Sequence, residues 1–313
     1  MKGVPGARNL ARWLALAGLL LGTGCSVRKF AITQVGNALA GGGTTFASDN
    51  DPELVAAAVP FSLKLMESLL AEVPEHEGLL LALTSGFTQY GYAFVQPEAD
   101  VLEETDFAAA EQVRQRARKL YLRARDYGLR GLEAAHPGFR KKLRADATAA
   151  VSVCRKQDVP LLYWTAAAWG SAISLSKDDP ATIAEIPQME ALIDRATALD
   201  PDWDEGAIDS FLISYEPNRQ GAEGDAALRS YEHLRRAVAL SGGRQAGPFV
   251  AYAEAISVQE QNVQEFDALL AQALAINPDA TPACRLVNLI MQRRARWLMA
   301  HRDDLFVIPE PAK

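Results

Sequence analysis

Apolar residues recur every three to four positions through most of the chain after residue 50. Four clear stripes lie within residues 113–132, 186–199, 228–238 and 266–276. This spacing places the apolar side chains on one face of an α-helix. No segment alternates apolar and polar residues over the length of a strand, so the pattern predicts an all-α protein without a sheet.

Several predicted helices end in the same way, with a proline or glycine followed by polar residues that begin another helix. The markers of these ends are Pro74, Pro137, Pro201, the region of Ser241, and Pro278. Proline ends a helix because it lacks an N–H donor and clashes with the preceding turn. The intervals of 63, 64, about 40 and 37 residues exceed the ~34 residues of a tetratricopeptide repeat. We therefore predict a tetratricopeptide-like solenoid of helical hairpins over residues 51–308, with degenerate repeats and insertions.

The N-terminal segment has a different pattern. Lys2, Arg8 and Arg12 precede a short apolar run over residues 13–21. This run is too short for a membrane span, which needs ~20 residues. A basic start, a short apolar core and small residues after it are typical of a secretory signal peptide, here residues 1–24.

The apolar run is followed by Gly22-Thr23-Gly24-Cys25, which resembles the lipobox of bacterial lipoproteins. The resemblance implies a diacylglycerol thioether on Cys25 and cleavage before it. The lipobox prefers leucine three residues before the cysteine, where this chain has Gly22; ordinary secretory cleavage is the alternative. In such lipoproteins the residue after the cysteine determines the destination membrane, and Ser26 resembles the residues that direct a lipoprotein to the outer membrane. Residues 25–50, which include three consecutive glycines, are predicted to form a flexible tether.

Composition and motifs narrow the possible functions. The net charge of −7 argues against nucleic acid as a partner. The four histidines have no metal-ligand spacing, and there is no nucleophile elbow, phosphate loop or Cys-x-x-Cys motif. The sequence thus predicts neither an enzyme nor a metal or cofactor site. Beyond Cys25 only Cys154 and Cys284 remain, and they can form a disulfide or stay as two buried thiols.

Aromatic residues are crowded into residues 85–100, 162–174 and 199–216, where small residues accompany the bulky ones. Buried Tyr and Trp need partners for their polar ends, and large pockets are often lined by aromatic rings. The candidates for lining an internal cavity are Tyr90, Phe94, Trp164, Trp169 and Trp203. The alternative is that these rings only fill a packed core.

Three stretches of the chain, "ARKLYLRARDYGLRGLE", "LYWTAAAWGSAIS" and "LDPDWDEGAIDSFLISYE", together with residues 51–100, resemble the T component of TRAP transporters, the TatT family of lipoproteins. The resemblance covers residues 51–216 most strongly. It implies an all-helical protein tethered to the outer membrane, with helical pairs around a hydrophobic cavity. It also implies association with the periplasmic substrate-binding P component, and a homotrimer. The resemblance identifies no ligand-binding residue in this chain.

These observations lead to an expected function and two alternatives. The expected function is a periplasm-facing accessory lipoprotein of a TRAP system, which binds the P component and an apolar, amphipathic or organic-acid solute. The first alternative is a tetratricopeptide-like adaptor that assembles envelope complexes without a small-molecule ligand. The second is an envelope hydrolase whose catalytic residues follow no known motif.

Overall fold

The structure is a computed structural model that describes residues 32–40 and 45–307. Within these ranges all regular structure is helical and no strand occurs. The predicted all-α class is therefore confirmed. The signal peptide and Cys25 lie outside the described residues.

The first half of the fold contains ten α-helices among the described residues. They are α1 (32–40), α2 (Pro52–Glu72), α3 (Glu77–Tyr90), α4 (Gln96–Glu103), α5 (Phe107–Ala135), α6 (Phe139–Ala145), α7 (Ala147–Val151), α8 (Val159–Ser174), α9 (Pro180–Ile183) and α10 (Ile186–Leu199). A π-helical turn, Gly91–Val95, joins α3 to α4.

The second half continues the helical pattern. Its α-helices are α11 (Ala207–Tyr215), α12 (Ala226–Leu240), α13 (Gly247–Tyr252), α14 (Val263–Ala275), α15 (Arg285–Ala300) and α16 (Arg302–Leu305). A second π-helical turn, Ala253–Ser257, extends α13.

The predicted helix ends agree with the structure. The five markers each follow a helix end closely: Pro74 after α2, Pro137 after α5, Pro201 after α10, Ser241 after α12, and Pro278 after α14. The start of α2 also follows local chemistry, because Asp51 accepts a hydrogen bond from the Leu54 N–H and Pro52 occupies the first helical position.

Most predicted apolar stripes are buried, but the stripe of α12 is only partly so. Leu228 and Tyr231 are exposed, whereas Ser230, Leu234 and Ala237 are buried. The buried residues are spaced by four and three positions, so they define a face rotated away from Leu228 and Tyr231. The packing of α12 on α11 and α13 selects this face.

Successive helices pack in order along the chain. Helix α2 packs on α3, which packs on α5 and α8, and α8 packs in turn on α10. In the second half, α11 packs on α12 and α13, α13 on α14, and α14 on α15. One apolar core extends from α5 to α11 and another from α11 to α15. The tetratricopeptide-like geometry of these pairs stays a prediction.

Helix α15 returns to the N-terminal part of the chain and closes the arrangement. The Leu286 N–H donates to the Ala47 carbonyl at 3.0 Å, and the Arg285 side chain donates to the Ser48 carbonyl at 2.8 Å. Arg294 of α15 also pairs with Asp100 of α4 at 2.8 Å. Helix α15 therefore contacts the N-terminal part of the fold, including α2, which an open solenoid with only nearest-neighbour contacts does not require.

A helix also lies inside the segment predicted as a tether. In α1, Gly36 packs so closely on His76 that a Cβ there would lie 3.0 Å from its Nε2 atom. The His76 Nε2 atom also lies 3.3 Å from the Thr33 carbonyl oxygen. These contacts place residues 32–40 against the start of α3.

Among the described helices, α2 is long and apolar enough to cross a membrane, judged by length and composition alone, with a mean hydropathy of 1.6. Its Leu63 and Leu70 are buried on α3, but Leu54, Phe61 and Leu65 are exposed. In the structure α2 is thus a peripheral helix with one packed face and one apolar outer face.

Candidate functional site

Two of the five predicted cavity residues meet around a third aromatic ring. The centroid of Tyr163 lies 4.7 Å from that of Trp203 and 5.0 Å from that of Trp164. Helix α8 supplies Tyr163 and Trp164, and the turn before α11 supplies Trp203. Trp164 and Trp203 are partly buried, so each ring keeps an accessible side.

Tyr90 and Phe94 form a second pair at the π-helical turn after α3. Their ring centroids lie 5.9 Å apart, and both side chains are partly buried. The extra residue of a π-helical turn changes the direction of the side chains that follow it. This turn therefore determines where Phe94 and its neighbours point.

Trp169 has the contacts of a packing residue. It is buried, its indole N–H donates to the Glu185 carboxylate at 2.8 Å, and the Arg125 guanidinium lies 5.1 Å from its ring centroid. The polar end of this ring is therefore satisfied inside the protein. Cavity lining by the five residues stays a prediction.

Tyr92 was not among the predicted residues, although it lies between Tyr90 and Phe94 on the π-helical turn after α3. Its side chain is 50% exposed, while burial raises the pKa of its hydroxyl to about 12, with a further increase from Glu254 and a decrease from Arg294. Its ring is therefore half exposed, while its hydroxyl lies among protein atoms near Glu254 and Arg294. Its neighbour on the sequence, Gly91, packs so closely on Tyr121 that a Cβ there would lie 2.9 Å from the ring.

Tyr163 of α8 lies against Trp203 of the turn before α11. Burial raises the pKa of Tyr163 well above its ordinary value, and the charges of Asp204 and Tyr92 raise it further. These groups come from α8, from the turn before α11 and from the turn after α3. The fold therefore brings Tyr92 and Asp204 close enough to Tyr163 to affect its pKa. We call these three residues, together with Trp164 and Trp203, the interior aromatic group.

The turn that holds Asp204 has an unusual backbone. Asp204, Glu205 and Gly206 have φ angles of 48°, 52° and 91°, a left-handed conformation that costs roughly 1–2 kcal/mol for each non-glycine residue. Two contacts hold it in place. Glu205 pairs with Arg244 at 2.9 Å, and Gly206 packs so closely on α12 that a Cβ would lie 3.0 Å from the Ala237 Cα.

Arg294, whose charge acts on the Tyr92 hydroxyl, joins three segments of the chain. Its guanidinium pairs with Asp100 of α4 and Glu254 of the second π-helical turn, and lies 4.3 Å from the Trp297 ring centroid. Burial raises the pKa of Asp100 despite the opposing charge of Arg294. The two acids neutralise the arginine, so this cluster fixes α15 rather than offering a free cation.

A second group of polar side chains lies at the junction of α5, α7 and α8. His136 Nε2 lies 3.0 Å from Asp158 Oδ2, and the Cys154 Sγ atom lies within 4.8 Å of both. Cys154 and Cys284 are both free and buried, so the structure has two thiols and no disulfide between them. Burial, assisted by the Asp158 charge, raises the pKa of the Cys154 thiol to about 12.

A family model described as "TRAP transporter T-component" matches residues 48–306. The chain belongs to the TRAP transporter T-component family. It is also similar to a protein of Treponema pallidum (strain Nichols) described as an uncharacterized protein, with 32% identity over 94% of this chain and 96% of that protein. This T component thus has an accessory role in a TRAP transport system, a role that does not belong to an enzyme class.

The matched range of the T component coincides with the closed arrangement of helices. It begins at Ser48, whose carbonyl accepts the hydrogen bond from Arg285. It ends at Phe306, whose ring lies 5.0 Å from the Phe266 ring in the C-terminal core. The family resemblance seen in residues 51–216 is therefore confirmed and extends to the C-terminal helices.

Proposed function

We propose that this T component is a lipoprotein on the periplasmic face of the outer membrane that binds the periplasmic solute receptor, the P component, and holds an apolar or amphipathic solute in its interior. The family match over residues 48–306 carries this proposal. Tetratricopeptide-like pairs of helices and assembly into a homotrimer are part of the same proposal.

The chemistry of the interior aromatic group supports an amphipathic solute. Trp164 and Trp203 offer ring faces to an apolar body. Tyr92 and Tyr163 are neutral at physiological pH, as an unperturbed tyrosine is, and burial raises their hydroxyl pKa values further. Neutral hydroxyls can hydrogen-bond a polar head without the cost of burying a charge.

The partner is tested by recovering the protein from detergent-solubilised envelope and identifying proteins and small molecules together by mass spectrometry. We expect a TRAP-type periplasmic receptor to co-purify, and a lipid or organic acid to remain bound. Recovery of an outer-membrane assembly machine without any small molecule would instead favour the adaptor.

The exposed outer face of α2 is the observation that favours the adaptor alternative. Leu54 and Phe61 are 59% and 73% exposed, and Leu65 lies on the same face. A solvent-exposed apolar face of this kind is typical of a site that contacts another protein. A second copy of the chain can also cover this face of α2. The molecular mass of the purified protein in solution distinguishes a self-assembled oligomer from a complex with another protein.

The interior site is tested with alanine variants of Tyr92, Trp203 and Trp169. Tyr92→Ala and Trp203→Ala are expected to release the bound solute, with a smaller loss of stability for Tyr92 because that side chain is half exposed. Trp169→Ala is the packing control, with an expected cost of ~3–5 kcal/mol. The measurements are melting temperature and retained solute. If solute retention is unchanged in the Tyr92 and Trp203 variants, the interior aromatic group is not the binding site.

A further inference from the structure

We propose that His136, Cys154 and Asp158 form a binding site for a thiophilic divalent cation of the Zn²⁺ type. An imidazole nitrogen, a thiol sulfur and a carboxylate oxygen lie within 4.8 Å of one another at the junction of α5, α7 and α8. None of these residues belongs to the interior aromatic group, so this inference is independent of the proposed function.

The ligand atoms fit a tetrahedral ion after small side-chain movements. Zinc binds imidazole nitrogen and carboxylate oxygen at about 2.0–2.2 Å and thiolate sulfur at about 2.3 Å, which sets ligand atoms roughly 3.3–3.7 Å apart. His136 Nε2 and Asp158 Oδ2 are already 3.0 Å apart. The Cys154 Sγ atom has to move closer by about an ångström, which a rotation about its side-chain bonds supplies.

The backbone around the three residues is fixed by hydrogen bonds that do not depend on an ion. Asp158 Oδ2 accepts from the Arg155 N–H at 2.7 Å, and Arg195 donates to the Cys154 carbonyl at 2.6 Å. The Cys154 N–H donates to the Val151 carbonyl, and His136 ends α5 with its N–H bonded to Leu132. The three ligands therefore come from positions held in place by the fold, as a metal site requires.

Access to the three ligands is from the side of the imidazole. Cys154 is fully buried and the Asp158 side chain is 5% exposed, whereas His136 keeps 20% of its side chain accessible. An ion can therefore enter past the imidazole, and a water molecule can complete the fourth coordination position on that side. Binding breaks the Cys154 S–H bond, forms the sulfur–metal bond and releases one proton to solvent, with no change of oxidation state.

The chain offers matched controls for this inference. Cys284 is the other buried free cysteine, and among the described residues it is not part of any comparable group of His, Cys and acidic ligands. His233 lies 2.7 Å from the buried Asp209, a pair that resembles His136–Asp158 but is likewise not part of such a group among those residues. The site is identified if substitutions of His136 or Cys154 abolish or weaken metal binding while substitutions of Cys284 or His233 do not.

The experiment titrates Co²⁺ into metal-free, full-length protein in detergent and records the visible and near-ultraviolet absorption. We expect one Co²⁺ per chain, with a thiolate-to-metal charge-transfer band that Zn²⁺ abolishes by displacement. Cys154→Ser should abolish the band, and His136→Gln should weaken binding about tenfold or more. Cys284→Ser and His233→Gln should bind as the unmodified protein does, with circular dichroism confirming that every variant is folded.

Melting temperature gives a second measurement that does not require a folded Cys154 variant. Zn²⁺ should raise it in the unmodified protein and in Cys284→Ser, and a chelator should reverse the increase. The inference is overturned if stoichiometric Co²⁺ produces no charge-transfer band in the unmodified protein. It is equally overturned if Cys154→Ser retains the band, or if Zn²⁺ leaves the melting temperature unchanged.

Discussion

Gly128 lies where three helices meet. A Cβ atom at this position of α5 would lie 2.0 Å from the Thr165 Oγ1 of α8 and 3.0 Å from the Thr84 Cγ2 of α3. Both threonines are buried, and each hydroxyl donates to a carbonyl of its own helix. The absence of a side chain at Gly128 therefore sets the distance between these helices.

We expect Gly128→Ala to lower the free energy of unfolding by roughly 1–3 kcal/mol, the usual cost of overpacking a core. Gly170→Ala is the control, because its Cβ would meet the Phe211 ring at 3.1 Å and a ring can tilt away. The gain of up to ~1 kcal/mol from alanine in a helix should offset that contact. Urea denaturation measures both variants, and equal stability of the two would show that the α5–α8 approach is not tight.

At the scale of elements, α15 joins the two ends of the fold through arginines with different surroundings. The side chain of Arg294 is 18% exposed and pairs with two acids, whereas that of the neighbouring Arg293 is 58% exposed and pairs with Glu53, which is itself 70% exposed. Exposed ion pairs contribute little to stability because solvent screens them. The attachment of α15 therefore depends mainly on Arg294.

We expect Arg294→Ala to destabilise the protein by roughly 1.5–3 kcal/mol, because it leaves Asp100 and Glu254 without their cation. Amide hydrogen exchange should increase first in α15 and α4. Arg293→Ala is the matched control and should change stability by less than about 1 kcal/mol. The same exchange pattern in both variants would contradict this account of the closure.

At the scale of the whole molecule, the sequence predicts how the protein is held at the membrane. The proposed thioether lipidation would place two acyl chains on Cys25, which is enough for stable anchoring. We expect Cys25→Ala to release the protein into the soluble periplasmic fraction or to block its maturation. Fractionation and immunoblotting measure this outcome, and Cys284→Ser controls for the loss of a cysteine as such. Membrane retention of Cys25→Ala would contradict lipidation and favour ordinary secretory cleavage.

The sequence alone determined the helical class, the helix ends and the family. The helical class and the helix ends depend on residues close together in the chain: the spacing of apolar positions, the caps and the prolines that follow α2, α5, α10 and α14. The family was indicated by the particular residues of three stretches and of residues 51–100. Such local preferences act before any tertiary contact forms.

Only the tertiary structure decided which side chains meet. Trp169 and Trp203 look alike in sequence, but one is buried with a bonded N–H and the other keeps an accessible face. Tyr92 and the His136–Cys154–Asp158 group follow no sequence motif. The position of Tyr92 depends on the closure by α15, which brings Arg294 near it, and the polar group depends on how the ends of α5, α7 and α8 pack together. Both arise from packing between residues far apart in the chain, which periodicity cannot specify.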